Sequence, residues 1–268
     1  MKNIMFFSVF LFFFTNCESQ NIQYKKHKTD WEKENLKGKV KSIYIVNSFG
    51  EREYLYDKEG YLIEETVYLE DGEKLRRNIL YTKKGNKIKE IGYNKKGKEE
   101  YYSDYKYNKY GYLKEWATYA QGKLYKKLVY NYDSKGNESE VYLYYNKDKF
   151  DEKIAQKYDS KNRLIEMEIF SNRKEYIEKK EYLYDQENHL VSIILKNDNI
   201  IVSKNIFRYD TNNNITEEQN YRDSTLIDTK TYIYSYDSHN NWTKKFLLQD
   251  LDLDKEVLIE ERKIIYYE

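Results

Sequence analysis

The chain has 268 residues, and its 47 Lys and Arg nearly cancel its 46 Asp and Glu. No basic field is present to hold nucleic acid or anionic lipid. A mean hydropathy of −1.00 with 35% charged residues would suit disorder, but disordered chains are poor in aromatics and this one is 17% Phe, Trp and Tyr, with 32 Tyr. Tyr favours strands and joins an apolar ring to a polar tip, so the composition points to sheets lying partly in water, without a thick core.

The chain opens MKNIMFFSVFLFFFTNCESQ, where Lys2 precedes an apolar run from Ile4 to Phe14. A bilayer span needs about 20 residues, so this shorter run fits the h-region of a signal peptide. Cys17 is the single cysteine, which rules out an intrachain disulfide and leaves its position after the h-region to be explained. Phe14-Thr15-Asn16-Cys17 resembles the lipobox of bacterial lipoproteins, with Phe14 and Asn16 standing where Leu and a small residue are commoner. The resemblance implies a signal peptide over 1–16, acylation of Cys17, a membrane held through that lipid, and a cell-envelope location, the outer membrane being the expected one.

Residues 17–37 read as a linker. Within it TDWEKENLKGKV allows a short helix capped by Thr29 or Asp30 and stopped by Gly38, after which KVKSIYIV reads as a first strand. From there a repeat governs residues 38–268. The Tyr that closes each aromatic-x-Tyr falls at Tyr56, Tyr81, Tyr107, Tyr132, Tyr158, Tyr184, Tyr209 and Tyr236, spaced 25 to 27 apart, with Ile79 and Gln156 at the aromatic position in two copies. Such regularity marks a repeat architecture.

Each copy continues Asp-x-x-Gly/Asn. Asp57, Asp133, Asp159, Asp185, Asp210 and Asp237 open the turn, with Thr82 and Asn108 in the two departures. Gly60, Gly85, Gly111 and Gly136, then Asn162, Asn188, Asn213 and Asn240, fill the slot three residues later. Gly and Asn visit φ > 0 most cheaply, so this is the αL position of a hairpin turn. Asp, Asn and Thr share a short oxygen that accepts from a backbone N–H two or three residues on. A catalytic carboxylate would not tolerate that exchange, so these aspartates are read as structural.

Second turns at Asp71-Gly72, Lys96-Gly97 and Gln121-Gly122, with equivalents further on, split each repeat into two strands. Loops this short join only antiparallel neighbours. The expected fold is all-β, an antiparallel up-and-down meander of about 16 or 17 strands, forming a curved or twisted open sheet or a barrel-like one. EVLIEERKIIYYE reads as its closing edge, with Glu260, Glu261, Arg262 and Lys263 discouraging edge-to-edge association.

The Tyr-Asp-x-x-Gly/Asn unit resembles the YD repeat of Rhs and teneurin-like proteins over about residues 52–245. Asn35-Leu36-Lys37-Gly38-Lys39-Val40-Lys41-Ser42 is similar to the entry of small YD-repeat lipoproteins of Bacteroidota. The resemblance implies a shell-like β-structure. With no Pro in the chain, the Pro-containing autocleavage motif of large Rhs proteins cannot be present, and their toxin function is not carried over.

No nucleotide or nucleophile motif is found. His27, His189 and His239 have no second ligand at metal spacing, so no metal, cofactor or catalytic residue is expected. The repeated glutamates Glu64, Glu90, Glu115, Glu166 and Glu217 could supply a glycan hydrolase, but pairing with Lys or Arg on the intervening strand is the simpler role. A binding or structural module is the preferred reading, presenting Trp116, Trp242, Tyr119 and Tyr144 to a glycan or an envelope protein. A remnant of a toxin-delivery shell is the remaining alternative.

Overall fold

The computed structural model describes residues 25, 27–146, 149–172, 178–249 and 252–268. The expected signal peptide over 1–16 and Cys17 lie outside them. The described residues form nine hairpins: β1 (Val40–Asn47) with β2 (Gly50–Tyr56), β3 (Leu62–Tyr68) with β4 (Lys74–Tyr81), β5 (Lys87–Tyr93) with β6 (Glu99–Tyr107), β7 (Leu113–Ala120) with β8 (Lys123–Tyr132), β9 (Glu138–Tyr145) with β10 (Lys149–Tyr158), β11 (Leu164–Ser171) with β12 (Glu178–Tyr184), β13 (Leu190–Asn197) with β14 (Ile200–Tyr209), β15 (Ile215–Arg222) with β16 (Thr225–Tyr236), and β17 (Trp242–Gln249) with β18 (Asp252–Tyr266). Successive strands pair antiparallel, and β18 pairs with β1 from Val40↔Tyr266 to Asn47↔Glu260.

The meander is therefore a closed barrel, and two expectations need correcting. Eight Tyr-Asp turns separate nine hairpins, which gives eighteen strands against the 16 or 17 that the repeat spacing predicts. The last strand is no edge, because β1 supplies its partner and closure removes edges altogether. Eighteen strands at about 4.8 Å each make a girth of roughly 86 Å, a radius of about 14 Å before tilt widens it. Side chains do not fill a barrel of that strand number, so a lumen remains.

Opposed residues share a face, which lets the registers trace each side round the wall. One face runs from Ile43 through Tyr54, Glu65, Arg77, Gly92 and Tyr101. It is the inner face: the N-terminal segment packs on it, and burial is the first cause raising the hydroxyl pKa of its Tyr56, Tyr81, Tyr105 and Tyr130. On the outer face Tyr44 is pushed up to about 12, first by its hydrogen bond to Glu51.

The outer face is charged strand after strand. Lys106–Glu115 at 2.7 Å, Lys157–Glu166 at 2.5 Å and Arg208–Glu217 at 3.4 Å are opposed pairs just beyond the turns. A membrane-spanning barrel presents an apolar band about 25 Å tall to lipid, and this wall has no room for one.

At each Tyr-Asp turn the register shifts by one residue, as between Leu55 and Tyr56 or Ser235 and Tyr236. This is the bulge that follows from a type I turn with an αL residue. The αL slots have φ from 60° at Asn162 to 91° at Gly60. The turn-opening oxygen accepts from the N–H groups two and four residues on, as Asp133 does from Lys135 and Asn137, both at 2.9 Å. Thr82 and Asn108 do the same.

Stacking between successive turns bears on which copies have Gly and which Asn. A Cβ on Gly85 would collide with the Tyr61 ring, and one on Gly136 with Tyr112. Gly60 is similarly covered by Trp31, 2.6 Å from where a Cβ would stand. At three later turns the preceding turn offers a polar side chain instead and the slot is Asn, whereas Gly111 follows Asn86 and falls outside this pattern. Asn162 accepts from Asn137 at 3.1 Å and Asn188 from Arg163 at 3.2 Å, while Asn213 lies 2.8 Å from His189 Nε2.

The N-terminal segment straps the mouth on the Tyr-Asp-turn side. Lys25 N–H donates to Tyr110 O, Asp30 N–H to Gly60 O, and Asn35 Nδ2 to Asn212 O, and Asn241 bonds both the N–H and the carbonyl of Lys37. Helix α1 (Asp30–Lys33) has Thr29 as its N-cap in a capping box with Glu32. It ends at Lys33 with Asn35 at φ 54°, not at Gly38, which packs against His239 and Tyr266 beside β1. The small core of Val40, Ile43, Ile45 and Tyr56, with Trp31 and Leu36 against it, lies where strap meets wall.

Candidate functional site

The inward slot five residues past αL holds Glu65, Glu90, Trp116, Val141, Met167, Ile193, Glu218 and Lys245 in turn. The lumen wall is therefore divided. In this slot β7, β9, β11 and β13 present apolar side chains, and β15, β17, β3 and β5 present charged ones.

Glu90 stands out from the glutamate series, since it lies five residues past its αL Gly85 where the others lie four. One residue of offset moves a side chain to the other face, and the outward slot is taken by Lys89. Glu90 is buried, with Arg77 Nη1 at 3.2 Å, Lys87 at 3.6 Å and the Tyr105 hydroxyl at 3.3 Å. Arg77 also bonds Glu65, which lies 3.7 Å from Arg52. Two carboxylates from different repeats thus share one guanidinium. Glu115, Glu166 and Glu217 pair with Lys or Arg on the outer face, and Glu64 faces out opposite Leu55.

The four aromatic candidates do not form one surface. Trp116 and Trp242 point inward on β7 and β17, nearly opposite across the barrel. Trp116 stacks on Tyr105 at 6.0 Å, and Trp242 carries the Arg262 guanidinium 3.3 Å from its ring centre. Tyr119 and Tyr144 point outward, the first stacked on Tyr102 at 4.9 Å, the second under Lys127 and against Phe150. A period of two decides this: Trp116 and Tyr119 are three residues apart on one strand.

A cleft of about 350 Å³ opens in the lumen between α1 and the β18–β1–β2 wall. Its floor is Ile43 and Ile45, and Arg52 and Arg262 both pair in register with Ile45, one from each side. Toward the far rim stand Asn47, Glu260 and Phe49; toward the strap stand Tyr54, Tyr56, Asp30 and Glu34.

Some of these groups are already engaged. Asp30 accepts from Lys33, from Leu62 N–H and from the Tyr81 hydroxyl. Burial alone would raise its carboxyl, but these donors and the Lys33 charge hold it below the ordinary value. Arg262 donates to Glu260 at 3.1 Å, and its pKa is lowered by burial.

Others face the cleft uncommitted. Tyr56 is 4% exposed, yet its hydroxyl has no hydrogen-bond partner among the described residues. Its pKa is raised by burial first and then by Glu34 and Asp30. Glu34 has no ion pair among the described residues, and Arg52 has only the long contact to Glu65. The cleft can donate and accept charge-assisted hydrogen bonds to a small polar molecule. The repeat pattern does not reveal it, because Arg52, Glu34 and Glu260 fall outside the consensus and closure alone brings them together.

Among the described residues no cluster of three or more His, Cys, Asp or Glu could hold a metal, and no helix is long and apolar enough to cross a membrane. No family model and no curated protein matches the chain. Among solved structures, it is similar to a porin-like protein from Bacteroides uniformis, at 13% identity and a TM-score of 0.46, covering 84% of this chain and 98% of that one. It is also similar to a chain of the TcdB2-TccC3-Cdc42 structure at 12% identity and a TM-score of 0.35, covering 81% of this chain and 14% of that one. Likenesses this distant say nothing of ligand or activity.

Proposed function

We propose that this is a lipid-anchored protein of the bacterial cell envelope, held to a membrane through Cys17, whose barrel stands in water and takes a small polar ligand into its lumen. The observation that carries this reading is the cleft, where a nearly buried Tyr56 hydroxyl, Arg52 and Glu34 face a space of about 350 Å³ without committed partners. The charged outer wall favours a barrel outside the bilayer, and the N-terminal pattern supplies the anchor. The shared Arg77 between Glu65 and Glu90 gives the hydrolase alternative little support, because paired glycosidase carboxylates leave room for water or a sugar between them.

Thermal shift against a panel of sugars, amino acids and phosphate esters tests this, with Ile45→Trp as the variant that fills the cleft. A ligand that raises the melting temperature of the parent and not of Ile45→Trp supports lumenal binding. Equal shifts in both proteins, or none across the panel, would refute it.

A further inference from the structure

The cleft orders its chemistry along the barrel axis. Counting inward from the far rim, Phe49 comes first, then Asn47 and Glu260, then the two arginines flanking Ile45, of which Arg262 is held by Glu260, then Tyr54 and Tyr56, and finally Glu34 on the strap. An apolar lip, a pair of arginines and a carboxylate without an ion pair among the described residues follow one another along the cleft. Phe49 is 85% exposed, and among the described residues Ile200 at 70%, Ile227 at 58% and Leu226 at 48% also stand on hairpin tips, those of β13–β14 and β15–β16, at the same end. Among the described residues the strap lies at the other end.

We propose that the cleft receives the phosphoethanolamine head group of a phospholipid presented in a membrane, with the acyl chains resting on the apolar lip. This assignment rests on the lumenal binding reading and names its ligand class. Entering ammonium first, such a head group places its phosphate beside Arg52, whose one ion contact among the described residues is the 3.7 Å approach to Glu65, while Arg262 on the other side of Ile45 stays on Glu260 and Trp242. A phosphate there gains charge-assisted bonds from the planar guanidinium fork of Arg52. The ammonium then reaches Glu34 and the Tyr56 hydroxyl oxygen, both of which accept hydrogen bonds from a primary amine. A quaternary amine has no N–H to give them. At about 350 Å³ the cleft is of the size that takes small-molecule ligands, enough for the head group and the adjoining glycerol.

The test uses the mature full-length protein in maltoside micelles, titrated calorimetrically with glycerophosphoethanolamine, glycerophosphocholine and glycerol 3-phosphate. Glycerophosphoethanolamine is expected to bind at least tenfold more tightly than the choline ester, as loss of charged hydrogen bonds implies. Arg52→Gln should weaken both glycerophosphoethanolamine and glycerol 3-phosphate by roughly tenfold. Glu34→Gln should weaken only glycerophosphoethanolamine. In micelles doped with phospholipid, a photoreactive benzoylphenylalanine at position 49 should cross-link to phosphatidylethanolamine and not to phosphatidylcholine.

Equal affinity for the ethanolamine and choline esters, indifference to Glu34→Gln, or equal cross-linking to both lipids would overturn the assignment. Should none of the three esters bind while another panel ligand gives a shift that Ile45→Trp abolishes, the head-group assignment fails and the lumenal reading stands. If no ligand distinguishes Ile45→Trp from the parent, both fail.

Discussion

Gly136→Asn puts into one turn the residue that four later turns use at the same position. If backbone conformation were the whole constraint, the change would cost little, since Gly136 at φ 83° and Asn162 at φ 60° occupy the same region and Asn is tolerated there. Stacking between turns predicts otherwise. The new Cβ would collide with the Tyr112 ring, which must swing away and abandon Tyr132, its neighbour at 4.9 Å between ring centres. Such an aromatic pair is worth about 1 kcal/mol beyond its buried area, and the residual αL strain and exposed ring bring the expected cost to about 2 kcal/mol. Tyr112→Asn alone should cost about 1 kcal/mol. The double variant recreates the Asn137–Asn162 pair one turn earlier, so the costs should not add, and a coupling of about 1 kcal/mol is expected. Urea denaturation of the four proteins measures it. Additive costs would refute the stacking account and return the Gly/Asn choice to the backbone alone.

Three further outcomes are expected. Arg77→Ala should destabilise the barrel by about 2 kcal/mol, because it strands Glu65 and Glu90 on a half-dry wall; Glu90→Gln should partly restore the loss, and denaturant midpoints will show whether it does. Stability should hold down to about pH 4, near the carboxylate value of the unfolded chain, and then fall as pH drops through the lower native values. At Asp133, Asp185, Asp210 and Asp237 burial works the other way, but the donors of each turn outweigh it; at Asp159 the Arg163 N–H is the largest influence. A depressed native pKa favours the folded state only while the carboxylate is ionised, so a melting temperature that rises between pH 4 and pH 3 would contradict the assigned sign. Labelled palmitate should enter the parent and not Cys17→Ala; equal labelling would place the anchor elsewhere.

The turns are legible in the sequence because their chemistry is local. A positive φ and a carboxylate that accepts two nearby N–H groups are set by residues at most four apart, and eight copies expose which positions hold them. Closure is not legible in the same way: nothing local in KVKSIYIV or ERKIIYY says that the two strands are partners, and charges that suit a guarded edge also suit a paired wall. Glu260 and Arg262 turn inward while Glu261 pairs outward with Lys244 at 3.3 Å. A repeat also averages away what departs from it. By residue type Glu90 groups with the outer glutamates, although its spacing from Gly85 differs by one residue, and at a period of two that offset separates a solvated ladder from a buried ion cluster. In a barrel whose turns repeat so regularly, the residues that break step are the ones the lumen uses: Glu34 on the strap, Arg52 before the first turn, and Glu260 and Arg262 on the strand that closes the ring. The repeated geometry of the turns builds the wall, and the exceptions to the pattern give one sector of it a chemistry of its own.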